Sequence, residues 1–458
     1  MTKMGYGANL ADAIEEISGG RLGFYVFPDG YGTLAYHPDV YKFVLKHPDL
    51  FGREAAEGVK EQPVPYSRRT QGVLGRTPLT LSKGPAWQAG RERLHQPLGV
   101  EARREEFIAR VFDQARGLAE KLKQRQGQVV DVHAPLQDFT YRIIAGLAFG
   151  EDAELAQQFR SVWDILNTKG GQYIAQLLPI ANPWLGGPKL VRALAKVIEV
   201  LRKPIENLQE SRYVHDDKGF LGQMAQGGLA AQSIIDELKT FFFAGHDTTT
   251  NAMTGLLYGL AQRPQLRDKI YQELRTFMGS AGGSSELSIA TLRDWGKLVS
   301  DHSKDTDGPL ILTRAAIKET LRRFSPVHGF LRIVRGYESI NLAGVKLNPG
   351  DSIFVPILAL QTSTEIWGAD AHDFKPERFL EPLTSTQKDA YKPFGDNAHR
   401  CAGEHLGLLQ MYLTLMALAE KGVAFDADPQ EGPLQLETVI TTRMKGGKCP
   451  LYVDRFKS

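Results

Sequence analysis

Sulfur, long apolar runs and a surplus of one charge are all scarce in this chain, and each scarcity removes a class of protein. Only two cysteines, Cys401 and Cys449, occur in 458 residues, too few for a disulfide framework or a four-thiolate cluster. They suit a reducing compartment, so the expectation is a soluble, cytoplasmic protein. No stretch of about 18 apolar residues occurs, and the N-terminus lacks the charged-then-apolar pattern of a secretion signal. No transmembrane anchor is therefore expected in this chain. The 55 basic and 53 acidic residues leave a net charge of +2, which gives no reason to expect nucleic acid or an anionic membrane as partner. Neither a Pro/Ser-rich linker nor an internal repeat is visible, so residues 1–458 read as one domain although the length would allow two or three.

What is present is mostly helical pattern with a few short strands. Arg21 to Phe27 and Thr33 to Tyr36 read as a hairpin around Pro28-Asp29-Gly30. Gly30-Tyr31-Gly32-Thr33-Leu34-Ala35 mimics a dinucleotide fingerprint, but a strand follows where a helix is required, which excludes that reading. Pro38-Asp39 opens an amphipathic helix. Apolar residues at Phe107, Ile108, Val111, Phe112, Ala115, Leu118 and Leu122 have helical spacing, as does the stretch from Ala153 to Leu166. Pro179, Pro183 and Pro188 interrupt the region between Gln172 and Leu190. The longest helical pattern runs from Ala231 to Gln262 and stops at Arg263-Pro264. Gly279 to Ser285 is a Gly/Ser-rich loop, and Trp295 to Pro309 is polar and irregular. A helix from Arg314 to Phe324 precedes short strands through Ile340 and Val345, helix returns after Cys401, and Thr438 to Val453 reads as strands around Gly446-Gly447.

Within the longest helix, Ala244-Gly245-His246-Asp247-Thr248-Thr249 runs against local propensity. Glycine costs about 1 kcal/mol in a helix interior, and the Asp and Thr side chains compete for backbone bonds. A glycine admits close approach of a flat ligand or dioxygen, and a Thr hydroxyl bonded to the previous turn can open a kink. Further on, Phe394-Gly395-Asp396-Asn397-Ala398-His399-Arg400-Cys401-Ala402-Gly403 holds one sulfur in a tight turn ahead of a helix. Turn amides, the helix N-terminus and Arg400 favour a thiolate there. A lone cysteine is more often a small buried apolar residue, and Glu319-Thr320-Leu321-Arg322 taken alone is an i, i+3 ion pair of little weight.

The order of these segments is more specific than any one of them. The cysteine loop resembles the haem-binding loop of cytochromes P450, in which a Cys thiolate is the axial iron ligand. Asn397 departs from that pattern, standing where glycine is usual. The distal-helix motif, the Glu-x-x-Arg helix, and Phe374-Lys375-Pro376-Glu377-Arg378-Phe379 follow in the family's order. The resemblance implies a mainly α fold with small β-sheets, a long central helix over the haem, a small N-terminal β region and no fused reductase.

By the same resemblance, haem b is the cofactor and Cys401 its metal ligand. Trp87, Arg91, Arg332 and His399 would meet the propionates, with Arg335 competing with Arg332. Phe394, Ala244, Gly245 and Gly403 would line the cofactor. Thr248 would face activated dioxygen, and Asp247 would relay protons. Glu319, Arg322 and Arg378 would brace the cysteine loop. The substrate pocket would draw on the Pro65 to Leu79 loop, Phe242, Phe243, Val327, His328, Phe330 and Val439.

The implied activity is a haem-thiolate monooxygenase that hydroxylates an apolar small molecule, such as a terpenoid, fatty acid, steroid or polyketide of secondary metabolism. Electrons from NAD(P)H would arrive through a separate ferredoxin or flavoprotein, docking on Arg91, Arg93, Lys392 and Arg400. A haem-thiolate isomerase or dehydratase, a peroxide-driven peroxygenase and a non-catalytic haem-binding sensor are the alternatives. The Asp247-Thr248 pair favours the monooxygenase over all three.

Overall fold

The computed structural model describes residues 23–27, 30–35, 37–52, 57–60, 84–100, 104–150, 154–160, 199–202, 205–206, 219–280, 309–396, 399–428, 430, 432–438 and 441–456. The Pro65 to Leu79 loop, the proline-broken segment at 172–190, the loop beyond Ser280, Asn397 and Val439 lie outside the described residues. In chain order the helices are α1 Pro38–Lys46, α2 Gly84–Leu94, α3 Glu105–Lys123, α4 His133–Phe149, α5 Gly219–Gln226, α6 Ala231–Phe242, α7 Thr248–Ala261, α8 Pro264–Ser280, α9 Ile311–Arg323, α10 Ile357–Thr362, α11 Thr364–Trp367, α12 Ser385–Ala390 and α13 Glu404–Lys421. The strands are β1 Gly23–Phe27, β2 Gly30–Leu34, β3 Phe51–Gly52, β4 Val129–Asp131, β5 Phe330–Val334, β6 Ile340–Leu342, β7 Val345–Leu347, β8 Ser352–Val355, β9 Val423–Ala427, β10 Leu436–Thr438, β11 Thr442–Met444 and β12 Pro450–Arg455.

Helix α3 shows why these segments fold as they do. Its apolar stripe, Phe107 through Leu122, is buried, with Glu105 and Glu106 in the first turn and Lys121 and Lys123 in the last, where they complement the helix dipole. Helix α13 is buried on nearly every side because α3 and α8 both pack on it. It leaves the cysteine loop through Gly403 and ends at Gly422 in the left-handed conformation, φ 71°. The Cys401 loop is thus attached to a helix enclosed within the large helical core.

The run expected as one helix over Ala231 to Gln262 is unbroken but not uniform. Between α6 and α7, residues Phe243–Asp247 form a π-helical turn, the kind of local widening that tends to sit at functional sites. Within this turn lies Gly245, where a Cβ would collide with the Ile144 side chain of α4. The close approach this glycine permits is therefore that of a neighbouring helix.

One sheet has the order β1-β2-β8-β5-β3, with β2 and β8 parallel and the other pairs antiparallel. The dinucleotide-like Gly30 to Ala35 segment is largely β2, paired to β1 from Gly30↔Phe27 to Leu34↔Gly23. A second core gathers on this sheet around Tyr41, Phe51, Val334, Ile353 and Trp367, apart from the large helical core. The strands expected around Gly446-Gly447 do not pair with each other. β11 pairs with β10, whereas β12 lies between β4 and β9, so those glycines carry the chain from one sheet to another. Among the described residues, no helix is long and apolar enough to cross a membrane.

Candidate haem-thiolate site

The cysteine loop is closed by its own backbone. Gly395 takes φ 74°, its amide donates to the Lys392 carbonyl at 3.0 Å, and the Cys401 amide donates to the Phe394 carbonyl at 2.8 Å. The Gly403 Cα faces the sulfur, since a Cβ there would stand 3.9 Å from Sγ. Cys401 has open surface, yet protein encloses the loop side closely enough that desolvation pushes its thiol up. A backbone hydrogen bond from Gly403 and the charges of Arg91 and Arg400 pull it down, while Glu404 adds to the rise. Phe394 packs against the large helical core.

Behind the loop stands a bidentate ion pair with no solvent access. Arg322 donates Nε and Nη2 to Glu319 at 2.7 and 2.8 Å, and both side chains are 0% exposed. Its Nη1 donates to the Gln361 carbonyl at 2.6 Å and its guanidinium lies 5.0 Å from the Trp367 ring centroid. Arg378 approaches the same carboxylate at 3.5 Å, and the Lys375 amide donates to it at 2.8 Å. The three residues expected as a brace are therefore one cluster. Arg378 also reaches Asp370, whose carboxyl is held down at about 2 by hydrogen bonds from Lys375 and Arg378.

Gln361 is a member that no sequence signal singled out. Its Nε2 donates to the Leu321 and Arg322 carbonyls at 2.9 and 3.1 Å, and its Oε1 accepts from the Lys392 amide at 3.1 Å. It ties the end of α9 to the start of the cysteine loop.

Two expected propionate residues meet directly, the Trp87 and His399 rings lying 4.4 Å apart. Arg91 donates to the Arg400 carbonyl at 2.9 Å, joining α2 to the loop. Arg332 lies 4.3 Å from the Phe330 ring centroid. Its competitor Arg335 donates to the Pro48 carbonyl at 3.3 Å.

On the opposite helix, Thr248 is half-buried and donates to the Ala244 carbonyl at 2.6 Å, the back-bond that its position suggested. Ala244 is exposed in the π turn. Asp247 is turned elsewhere, with Oδ2 accepting from Thr441 Oγ1 and from Asn251 Nδ2 at 3.4 Å. Burial raises its carboxyl, and Thr441, His133 and Arg443 partly offset that rise. His246 is also buried, with Nδ1 2.9 Å from Thr140 Oγ1 and its pKa pushed down to about 3.

The pocket expectations divide. Phe242 is 0% exposed and its ring packs 5.3 Å from Phe149 and 4.5 Å from Phe159, so it belongs to the helical core and not to a cavity wall. Helix rotation decides this, because adjacent residues face about 100° apart. Phe243, Phe330 and His328 are half-buried, and Val327 is exposed. The His328 ring sits 5.6 Å from Phe354, its Nδ1 has no hydrogen-bond partner among the described residues, and burial pushes it down to about 4.

The expected basic docking face is partly neutralised. Arg93 pairs with Glu237 at 3.1 Å, Lys392 with Asp396 at 3.2 Å, and Arg400 with Glu404 at 2.5 Å. The residues present fit a haem: a loop thiol with open surface between arginines, an aromatic pair beside it, and an exposed alanine and a half-buried threonine on a largely buried helix.

Comparison with known proteins agrees. The chain is 26% identical over 392 residues to a cytokinin hydroxylase of Arabidopsis thaliana, spanning 82% of this chain and 72% of that protein. It is 26% identical over 347 residues to an 11-oxo-beta-amyrin 30-oxidase of Medicago truncatula, spanning 69% and 60% respectively. A putative cytochrome P450 132 of Mycobacterium bovis is 27% identical over 344 residues, spanning 70% and 68%. The crystal structure of the cytochrome P450DA heme domain shares the fold at TM-score 0.71 and 18% identity, over 98% of this chain and 92% of that one. The family model described as cytochrome P450 matches residues 31–431, and with its cysteine loop, brace and distal helix the chain belongs to the cytochrome P450 family.

Proposed function

We propose that this P450 monooxygenase hydroxylates an apolar small molecule carrying at least one oxygen, with electrons drawn from NAD(P)H through a separate redox protein. The observation that carries the reading is the pairing of an accessible loop thiol with an intact distal hydroxyl, Cys401 and Thr248. When bound, haem supplies the oxygen-activating chemistry, with Cys401 as the ligand that favours O–O cleavage. Trp87, Arg91, Arg332 and His399 would hold its propionates, and Glu319, Arg322 and Arg378 keep the ligand loop in place.

Thr248 holds a hydroxyl whose hydrogen is engaged at the Ala244 carbonyl, which leaves its lone pairs to accept from the pocket. Asp247 is the buried acid of the same motif and would restore protons used in the reaction. His328, neutral above pH about 4 because it is desolvated, carries a buried Nδ1 with no partner among the described residues and would turn its ring to meet a substrate oxygen. The half-buried Phe243 and Phe330 with Val327 supply apolar surface around it. The cytokinin hydroxylase and the 11-oxo-beta-amyrin 30-oxidase among the relatives support oxidation of a small organic substrate.

The test is an absorption titration of the haem-loaded protein with terpenoids, fatty acids, steroids and aromatic polyketides. A high-spin shift of the Soret band with one class, followed by its hydroxylation when a ferredoxin and its reductase are supplied, is the expected result. Replacement of His328 by alanine should weaken that ligand about tenfold, the size of one hydrogen bond. Equal binding removes His328 from the reading, and absence of turnover with every bound class and reductase overturns the oxygenation itself.

A further inference from the structure

The acid of the distal helix is gripped by Thr441, the residue just ahead of β11. We propose that Thr441 is a positioning residue which, with Asn251, fixes the Asp247 carboxyl on the β10–β11 side of α7 and sets the pH at which Asp247 exchanges its proton. The proposal rests on the reading of Asp247 as the proton-relaying acid.

The direction of each hydrogen bond follows from the chemistry of the three side chains. Asn251 Nδ2 can only donate, and it lies 3.1 Å from Thr441 Oγ1 and 3.4 Å from Asp247 Oδ2. Thr441 Oγ1 therefore accepts from the amide and must spend its single hydrogen on Asp247 Oδ2. Asp247 and Asn251 stand at i, i+4, so the helix presents acid and amide together, and Thr441 closes the triangle from another element.

The hairpin that brings Thr441 is itself tied down. The neighbouring Thr442 amide donates to the Pro326 carbonyl at 2.7 Å, Thr438 Oγ1 lies 3.2 Å from Thr442 Oγ1, and Arg443 pairs with Glu437 at 3.0 Å. Pro326 directly precedes Val327 and His328. Two adjacent residues, Thr441 and Thr442, thus link the acid to the segment that would meet substrate.

The other charged groups facing Asp247 are His133 at the start of α4 and Arg443 on β11. His133 is buried beside Thr254, Nδ1 to Oγ1 3.2 Å, and burial lowers its own pKa, so at neutral pH Arg443 is the standing positive charge. Burial favours the neutral acid, and the Thr441 hydrogen is the strongest opposing influence. Removing that hydrogen should leave Asp247 protonated to higher pH.

The experiment is an infrared pH titration of the carboxyl C=O stretch on resting, haem-loaded protein, with Asp247→Asn used to identify the band. Thr441→Val, matched in shape, and Thr441→Ala, which adds no bulk, should both move the band's midpoint to higher pH. Thr441→Ser should restore the wild-type midpoint. The proposal is overturned if the Val and Ala variants titrate like wild type, if the Ser variant behaves like them, or if no Asp247-dependent band exists at any pH. Turnover plays no part in this readout, so failure of the oxygenation reading would appear separately, as a wild-type protein that binds ligands without converting them.

Discussion

The two walls of the site are held in opposite ways. On the thiolate side the polar contacts are multidentate, charged and closed to water: Glu319 receives Arg322, Arg378 and the Lys375 amide, and Gln361 sews α9 to the loop. On the distal side, apart from Asp247, which Thr441 and Asn251 hold, the contacts are between neutral groups, as from the Thr248 and Thr250 hydroxyls to the Ala244 and His246 carbonyls one turn back, across a π turn. The first arrangement fixes one atom, Cys401 Sγ, at a high desolvation cost that only a complete network offsets. The second leaves hydroxyls able to exchange partners at small cost. A ligand loop needs one geometry, whereas a proton-handling helix needs groups that can change theirs.

The sharpest way to break this contrast is to remove Arg322. Arg322→Met should strip Glu319 of its bidentate partner and destabilise the protein by about 3–5 kcal/mol, seen as a lowered denaturant midpoint together with loss of haem retention. A change under 1 kcal/mol would mean that the brace is ornamental. On the distal side, Thr248→Val should leave folding and haem content intact while lowering product formed per electron on the order of 10²-fold. Equal loss of stability in that variant would erase the distinction between the walls.

A smaller effect tests packing between them. A Cβ at Gly255 would stand 2.6 Å from Phe324 Cβ, so Gly255→Ala should cost about 1–3 kcal/mol by overpacking, read from thermal unfolding. The smallest concerns Asp370 at the outer rim of the brace, held down at about 2 by Lys375 and Arg378. A depressed carboxyl stabilises the fold above its ordinary value near 4 and loses that contribution as pH falls toward 2. Because Asp370 is about one-third exposed, Asp370→Asn should cost less than about 1 kcal/mol at pH 7. Wild type and variant should converge in stability below pH about 2.

Much of this site was legible because its parts are local in sequence. The i, i+3 spacing of Glu319 and Arg322, the i, i+4 back-bond of Thr248 and the turn around Gly395 are each consequences of helix or turn geometry within a few residues. The same locality misled at Phe242, where one step along a helix turns a side chain from pocket to core. At Gly245 the structure adds a packing role, since the missing side chain makes room for Ile144. Gln361 and Thr441 were invisible for a different reason. Each acts on a residue 31 or more positions away, and an isolated Gln or Thr carries no pattern of its own.

By itself, the sequence determined the helical class, the family and the order of the motifs, and it singled out Cys401 as the candidate ligand, because each depends on periodicity or on short segments whose residues meet whatever the rest of the chain does. Only the tertiary structure decided which way Asp247 points, that Gln361 clamps the cysteine loop, that Arg93, Lys392 and Arg400 already hold carboxylates, and that β11 and β12 serve different sheets. Those outcomes belong to contacts between distant segments, and they are set by how the helices and sheets pack together.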